Sequence, residues 1–192
     1  MAEILLLHHA QGRTEGVLEF AEEIRQEGHT VHTPDLYGGG RTFDTLEEGV
    51  AYAEETGFEQ LIDRGERAAA LLPKGIVYAG LSLGVMPAQK LAQTREGARG
   101  ALFFYSCIPS SYFGEWPTGL PVQIHGMQGD PLFTTEGDLE AARALVDSSD
   151  RAELFLYPGD RHIFADPSLD SYDEDAALLL KGRVLQFLGS LD

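Results

Sequence analysis

Six short apolar runs punctuate the chain, at residues 4–8, 30–33, 75–81, 101–105, 122–125 and 153–157. Most are rich in Leu, Ile, Val or aromatic residues and are bounded by Gly or Pro, the pattern of strands buried on both faces. The second run is the weakest, with two polar residues in four. Between the runs the period changes. Val17, Phe20, Ala21 and Ile24 recur at helical spacing, and Gly28 stops that helix. Phe58, Leu61, Ile62, Ala69 and Leu72 mark a second helix, ended by Pro73. Leu139, Ala142, Leu145 and Val146 mark a third, with Thr134 or Thr135 as its expected cap. A last one runs over 172–188 through Ala176, Leu179, Leu180, Val184 and Phe187. Strands alternating with helices predict an α/β fold, with about six mostly parallel strands, right-handed crossovers and strand order 2-1-3-4-5-6.

Length fits this pattern to one domain over residues 1–192, since domains commonly run to about 100–200 residues. The 43% apolar content is that of a globular chain. Fourteen basic against 31 acidic residues give a net charge of −17. Such a surface repels phosphate backbones and anionic lipids, so neither nucleic acid nor membrane is an expected partner. The single Cys107 excludes an internal disulfide and a Cys-based zinc site. The apolar stretch 4–7 is too short for a signal-peptide core or a membrane span, and the expected location is the cytoplasm.

One motif carries chemistry. Gly80-Leu81-Ser82-Leu83-Gly84 follows a predicted strand and opens a predicted helix, the setting of a G-x-S-x-G nucleophile elbow. The two glycines let strand and helix approach, and the turn lifts the Ser82 hydroxyl to the carboxyl end of the sheet. In sheets that carry this elbow, an acid and then a His follow the nucleophile along the chain. His8, His9, His29 and His32 precede Ser82, and His125 precedes the best acid candidate, so order selects His162 as the base. Asp130, in a Gly-rich loop after the fifth run, is the preferred acid, with Glu115, Asp138 and Asp160 as rivals. The oxyanion hole would use the N–H of Leu83 and one from the loop after the first strand, with Ala10 the best candidate. The pair His8-His9 is a poor metal unit, because neighbours on a strand point to opposite faces. No metal or cofactor is expected. Two loops leave the triad's edge of the sheet, 36–43 with Tyr37, and 106–119 with Ile108, Tyr112, Phe113 and Trp116. They are expected to line a shallow apolar pocket.

These residues resemble the dienelactone hydrolase family of α/β hydrolases. The likeness runs from the first strand through Pro34-Asp35-Leu36-Tyr37, the elbow, the loop from His125 to Asp130, and Tyr157-Pro-Gly-Asp-Arg-His162. It implies a minimal α/β-hydrolase fold and hydrolysis of an ester or lactone, with Ser82, Asp130 and His162 as triad. It also suggests Arg41 as a partner for a substrate carboxylate. The chain departs from familiar members in having Ser82 where they carry Cys, and Gln11 in the region where they carry a restraining Glu. The expectation is a serine hydrolase of small esters or lactones, monomeric or homodimeric, acting on a small-molecule substrate. The alternatives are a thioesterase or peptidase with the same triad, and a non-catalytic ligand-binding protein on this fold.

Overall fold

The computed structural model describes residues 1–191; residue 192, the last of the domain expected over 1–192, lies outside the described residues. Six strands form one sheet: β1 (Glu3–Leu7), β2 (Thr30–His32), β3 (Val77–Leu81), β4 (Gly100–Phe104), β5 (Val122–Met127) and β6 (Ala152–Tyr157). All pairings are parallel and the order is β2-β1-β3-β4-β5-β6, as the pattern predicts. β2 is a three-residue edge strand with only Val31 buried, which explains why its apolar signal is faint.

Among the described residues seven α-helices flank the sheet: α1 (Glu15–Gln26), α2 (Leu46–Thr56), α3 (Phe58–Ala70), α4 (Val85–Thr94), α5 (Pro131–Thr135), α6 (Asp138–Ser148) and α7 (Glu174–Gly189). Because side chains alternate along a strand, each strand feeds two cores. Ile4, Leu6, Leu102 and Phe104 join Val17, Phe20 and Ile24 of α1 and Leu180, Val184 and Phe187 of α7 on one face. Leu5, Leu7, Phe103 and Ile124 join Leu61 of α3, Val85 and Ala88 of α4 and Leu145 of α6 on the other. Each Val, Leu, Ile or Phe side chain buried in full among these contributes about 1.5–3 kcal/mol.

Two elements differ from the pattern. Neither Thr134 nor Thr135 caps α6. Both lie in α5, where their hydroxyls bond back to the carbonyls of Asp130 and Pro131. Asp130 caps α5, Pro131 follows at its first position, and Gly137 at φ 99° opens α6. The helix α2 has no strong apolar stripe. It starts on a capping box in which Thr45 and Glu48 satisfy each other's backbone N–H groups. Pro87 falls at the third residue of α4, where a backbone N–H has no intrahelical acceptor to lose.

Candidate active site

Ser82 follows β3 at φ 48°, a left-handed conformation that is rare for a residue with a side chain. The turn is held by close approach. A Cβ on Gly80 would stand 2.3 Å from the Gly84 carbonyl oxygen, and one on Gly84 would stand 2.2 Å from the Leu7 oxygen. The elbow is thereby seated against the end of β1. Among the described residues the other non-glycine positions at positive φ are Tyr105 (66°) and Ile163 (57°), and both lie beside the same site.

Ser82 Oγ lies 2.8 Å from His162 Nε2. His162 Nδ1 lies 2.6 Å from Asp130 Oδ2. Asp130 is buried, and its other oxygen accepts the Leu132 N–H at 3.0 Å. The carboxylate can only accept, so the geometry selects the His162 tautomer with the proton on Nδ1, leaving Nε2 to accept from Ser82. The Tyr105 and His162 rings pack T-shaped with centroids 5.8 Å apart, and the Tyr105 hydroxyl accepts the Ala165 N–H at 3.1 Å. Three strand ends (β3, β5 and β6) thus bring together residues 80, 48 and 32 positions apart in pairs.

None of the rival acids hydrogen-bonds the His162 ring, whose partners are Ser82 and Asp130. Glu115 and Asp160 are exposed. Asp138 accepts the Cys107 N–H at 3.3 Å and the Ser106 hydroxyl, and burial raises its pKa above the usual carboxylate range. Cys107 is fully buried, and burial pushes its thiol up to about 12.

After β1 the chain turns beside the elbow. The His9 carbonyl accepts the Gly12 N–H at 3.0 Å and faces His8 Nδ1 at 2.8 Å. The Ala10 carbonyl accepts the Tyr37 hydroxyl at 2.6 Å. A trans peptide points its N–H away from its carbonyl, so the bonds to the His9 oxygen also set where the Ala10 N–H points. Both histidines lie beyond the strand, in the turn, and not on alternating faces of β1. His8 Nε2 accepts the Leu36 N–H at 2.9 Å, and His9 Nε2 lies 2.9 Å from Asp166 Oδ2. Both rings are therefore committed to protein partners, and no group of three or more metal-ligating side chains occurs among the described residues.

A cavity of about 740 Å³ opens on His162, with Gln11, Arg13, Phe43, Leu46 and Leu169 among its walls. Arg41, Tyr37, Tyr112 and Trp116 are not among its lining residues. The Arg41 guanidinium stacks 4.7 Å over the Tyr52 ring. Tyr37 is buried, Tyr112 is 76% exposed, and Trp116 packs edge-on against Phe103 and donates to the Leu120 carbonyl at 3.0 Å. The expected loop 36–43 does reach the cavity, through Gly40, Thr42 and Phe43. Sequence reasoning did not place Gln11, Arg13, Leu46 and Leu169 in the cavity wall, because that wall joins three segments that share no local pattern.

The model of the dienelactone hydrolase family matches residues 2–191. The chain belongs to the dienelactone hydrolase family. It is accordingly an enzyme, a hydrolase of the class acting on ester bonds. Among solved structures, it is similar to a dienelactone hydrolase-like promiscuous phosphotriesterase from metagenomic libraries, at 17% identity and a TM-score of 0.75, covering all of this chain and 87% of that one. Esterase PE8 is similar at 18% identity and a TM-score of 0.68, over 100% of this chain and 93% of that one. A cold-adapted esterase from an Arctic intertidal metagenomic library matches at 18% identity and a TM-score of 0.61, over 94% and 82%. At these identities the likeness is one of fold. No curated protein matches the chain. Among the described residues no helix is long and apolar enough to cross a membrane.

Proposed function

We propose that this dienelactone hydrolase family member is a serine hydrolase that cleaves small carboxylic esters or lactones through an acyl-enzyme. The observation that carries the reading is the relay from Ser82 Oγ through His162 to Asp130, at 2.8 and 2.6 Å. His162 Nε2 takes the hydroxyl proton as Ser82 Oγ attacks the substrate carbonyl carbon. Asp130 holds the ring in the required tautomer and stabilises the imidazolium that forms. The N–H groups of Leu83 and Ala10 receive the developing oxyanion. As the tetrahedral adduct collapses, His162 returns its proton to the leaving alkoxide. An alcohol departs from an ester; a lactone opens and keeps its alcohol on the acyl chain. Water then attacks the acyl-enzyme by the same steps, releasing the acid and restoring Ser82.

The substrate binds in the cavity on which His162 opens. Its walls mix the apolar Phe43, Leu46 and Leu169 with the polar Gln11 and Arg13, a lining suited to a small ester carrying some polar groups.

The test is a panel of esters, lactones and thioesters run beside a fluorophosphonate label. Wild type is expected to turn over esters or lactones and to take the label. Ser82→Ala is expected to lose the label and about 10⁴-fold or more in kcat while staying folded. Labelling that survives in Ser82→Ala rejects Ser82 as nucleophile. Turnover of thioesters alone rejects the substrate class.

A further inference from the structure

Behind the Ser82–His162–Asp130 relay lies a second buried His–carboxylate pair that the reaction steps do not use. His9 and Asp166 are both buried, and His9 Nε2 meets Asp166 Oδ2 at 2.9 Å. The Gln11 N–H donates to His9 Nδ1 at 3.2 Å, so the proton of this ring sits on Nε2 and points at the carboxylate. Burial holds the His9 pKa below its ordinary value despite the neighbouring carboxylate. Burial opposes the charge on Asp166 as well, but the bonds from His9, Ser168 and Thr14 outweigh it and hold that group below the usual range. The pair is a neutral imidazole donating to a carboxylate.

Asp166 is a hub. Its Oδ2 also accepts the Thr14 hydroxyl at 2.5 Å, and its Oδ1 accepts the Ser168 N–H at 2.9 Å and hydroxyl at 2.6 Å. Thr14 in turn caps α1 by accepting the Val17 N–H. The carboxylate sits so close to α1 that a Cβ on Gly16 would stand 1.7 Å from Asp166 Oδ1. Four donors from three residues, His9, Thr14 and Ser168, therefore converge on one side chain that lies only four residues after His162. Its neighbour Ala165 is tied to Tyr105, whose ring packs T-shaped against His162.

The other end of the pair is the turn that presents Ala10. His9 is anchored at its ring by Asp166, and its own carbonyl belongs to the peptide whose N–H is that of Ala10. We propose that Asp166, acting through His9, is a positioning device that fixes the Ala10 N–H as oxyanion donor and locks it to the loop carrying His162. Neither residue touches the reacting atoms. The inference rests on the proposed function, and specifically on Ala10 as an oxyanion donor. What it adds is that base and oxyanion donor are braced on a single carboxylate, so that they hold their spacing together.

The decisive variant is His9→Phe, which keeps a ring of similar size and removes both ring hydrogen bonds. Asp166→Asn is the second, since an amide in a site built for four donors sets an N–H against one of them. Both are compared with wild type, per folded molecule as judged by circular dichroism, on an oxoester and the matching thionoester. The sulfur of a thionoester draws little from backbone N–H donors, so the ratio of the two rates reports the oxyanion hole. Expected in either variant is a loss of about 10- to 100-fold in kcat on the oxoester. KM should change little, and the oxoester-to-thionoester ratio should shrink. If kcat per folded molecule stays within a few-fold of wild type, or if both esters slow equally, Asp166 and His9 serve the fold alone and the proposal is overturned. Should one variant not fold, the other decides by the same ratio. Loss of this effect with Ser82→Ala still inactive rejects the positioning role only. An active, labelled Ser82→Ala rejects the reading beneath it.

Discussion

Gly84 rests against the Leu7 carbonyl so closely that a methyl group at its Cβ position would stand 2.2 Å from that oxygen and 2.8 Å from the His8 oxygen. Backbone, not a flexible side chain, occupies the space, so the clash has no cheap relief. Gly84→Ala is expected to cost about 2 kcal/mol or more, read as a fall in Tm of about 4–8 °C. Because the same contact seats the elbow on the β1 turn, kcat should fall as well. A variant with wild-type Tm would show that the β1 turn yields freely.

Asp130 has two tasks, one per oxygen: Oδ1 caps α5 and Oδ2 meets His162. Asp130→Asn can keep the cap through its carbonyl while turning an N–H toward His162. That forces the unproductive tautomer and should lower kcat by up to about 10⁴ with little loss of stability. Asp138→Asn, whose native partners are Cys107 and Ser106, should stay within about 10-fold of wild type. The reverse ranking in a steady-state assay would move the acid to Asp138.

Cys107 offers no alternative nucleophile. Burial pushes its pKa up to about 12, and only a thiolate attacks efficiently. Iodoacetamide at neutral pH should leave both the thiol and the ester-hydrolysing activity intact, as read by intact mass and initial rate. Rapid alkylation with loss of activity would contradict the closed packing around β4.

Much of this arrangement is legible in the sequence, because parallel strands buried on both faces leave dense apolar runs and the elbow needs glycines at fixed offsets. Chain order alone selects His162, and the loops after β5 and β6 bring it to Asp130. What escapes is long-range. The helix α2 buries only Gly49 and Ala53, so its apolar period is faint, and its capping box at Thr45 and Glu48 is the local trace it leaves. The cavity wall joins Gln11, Phe43 and Leu169 from three loops. Tyr37, an attractive substrate contact by position, instead spends its hydroxyl on the Ala10 carbonyl.

The Arg41 guanidinium lies over the face of Tyr52 and is not part of the cavity wall. A cation–π contact at an exposed site is worth about 0.5–1 kcal/mol. Arg41→Ala is therefore expected to change KM for anionic and neutral esters by the same small factor, below about 3-fold. A rise in KM of about 10-fold confined to anionic esters would instead give Arg41 a substrate carboxylate to bind.

The last prediction concerns pH and stability. His125 is buried in a stack with Phe104 and Phe155, ring centroids 5.3 and 5.2 Å away, and its Nδ1 meets the Tyr157 hydroxyl at 2.9 Å. Burial, with the nearby Arg183 cation in support, lowers its pKa from 6.5 to about 3. The unfolded chain therefore binds a proton here at a pH where the folded chain does not. The stabilisation is present in full above pH 6.5 and is lost progressively as pH falls from there toward 3. Within that window a single such group costs about 1.4 kcal/mol per pH unit, so the step from pH 6.5 to pH 5 should remove about 2 kcal/mol. His9, also lowered by burial, acts in the same direction. His125→Phe keeps the stacked ring and removes the titrating group, so its stability should fall less steeply over the same interval. Urea unfolding at pH 7, 6 and 5 measures the difference. Parallel slopes for the two proteins would mean that His125 takes up its proton in the folded state as readily as in the unfolded one.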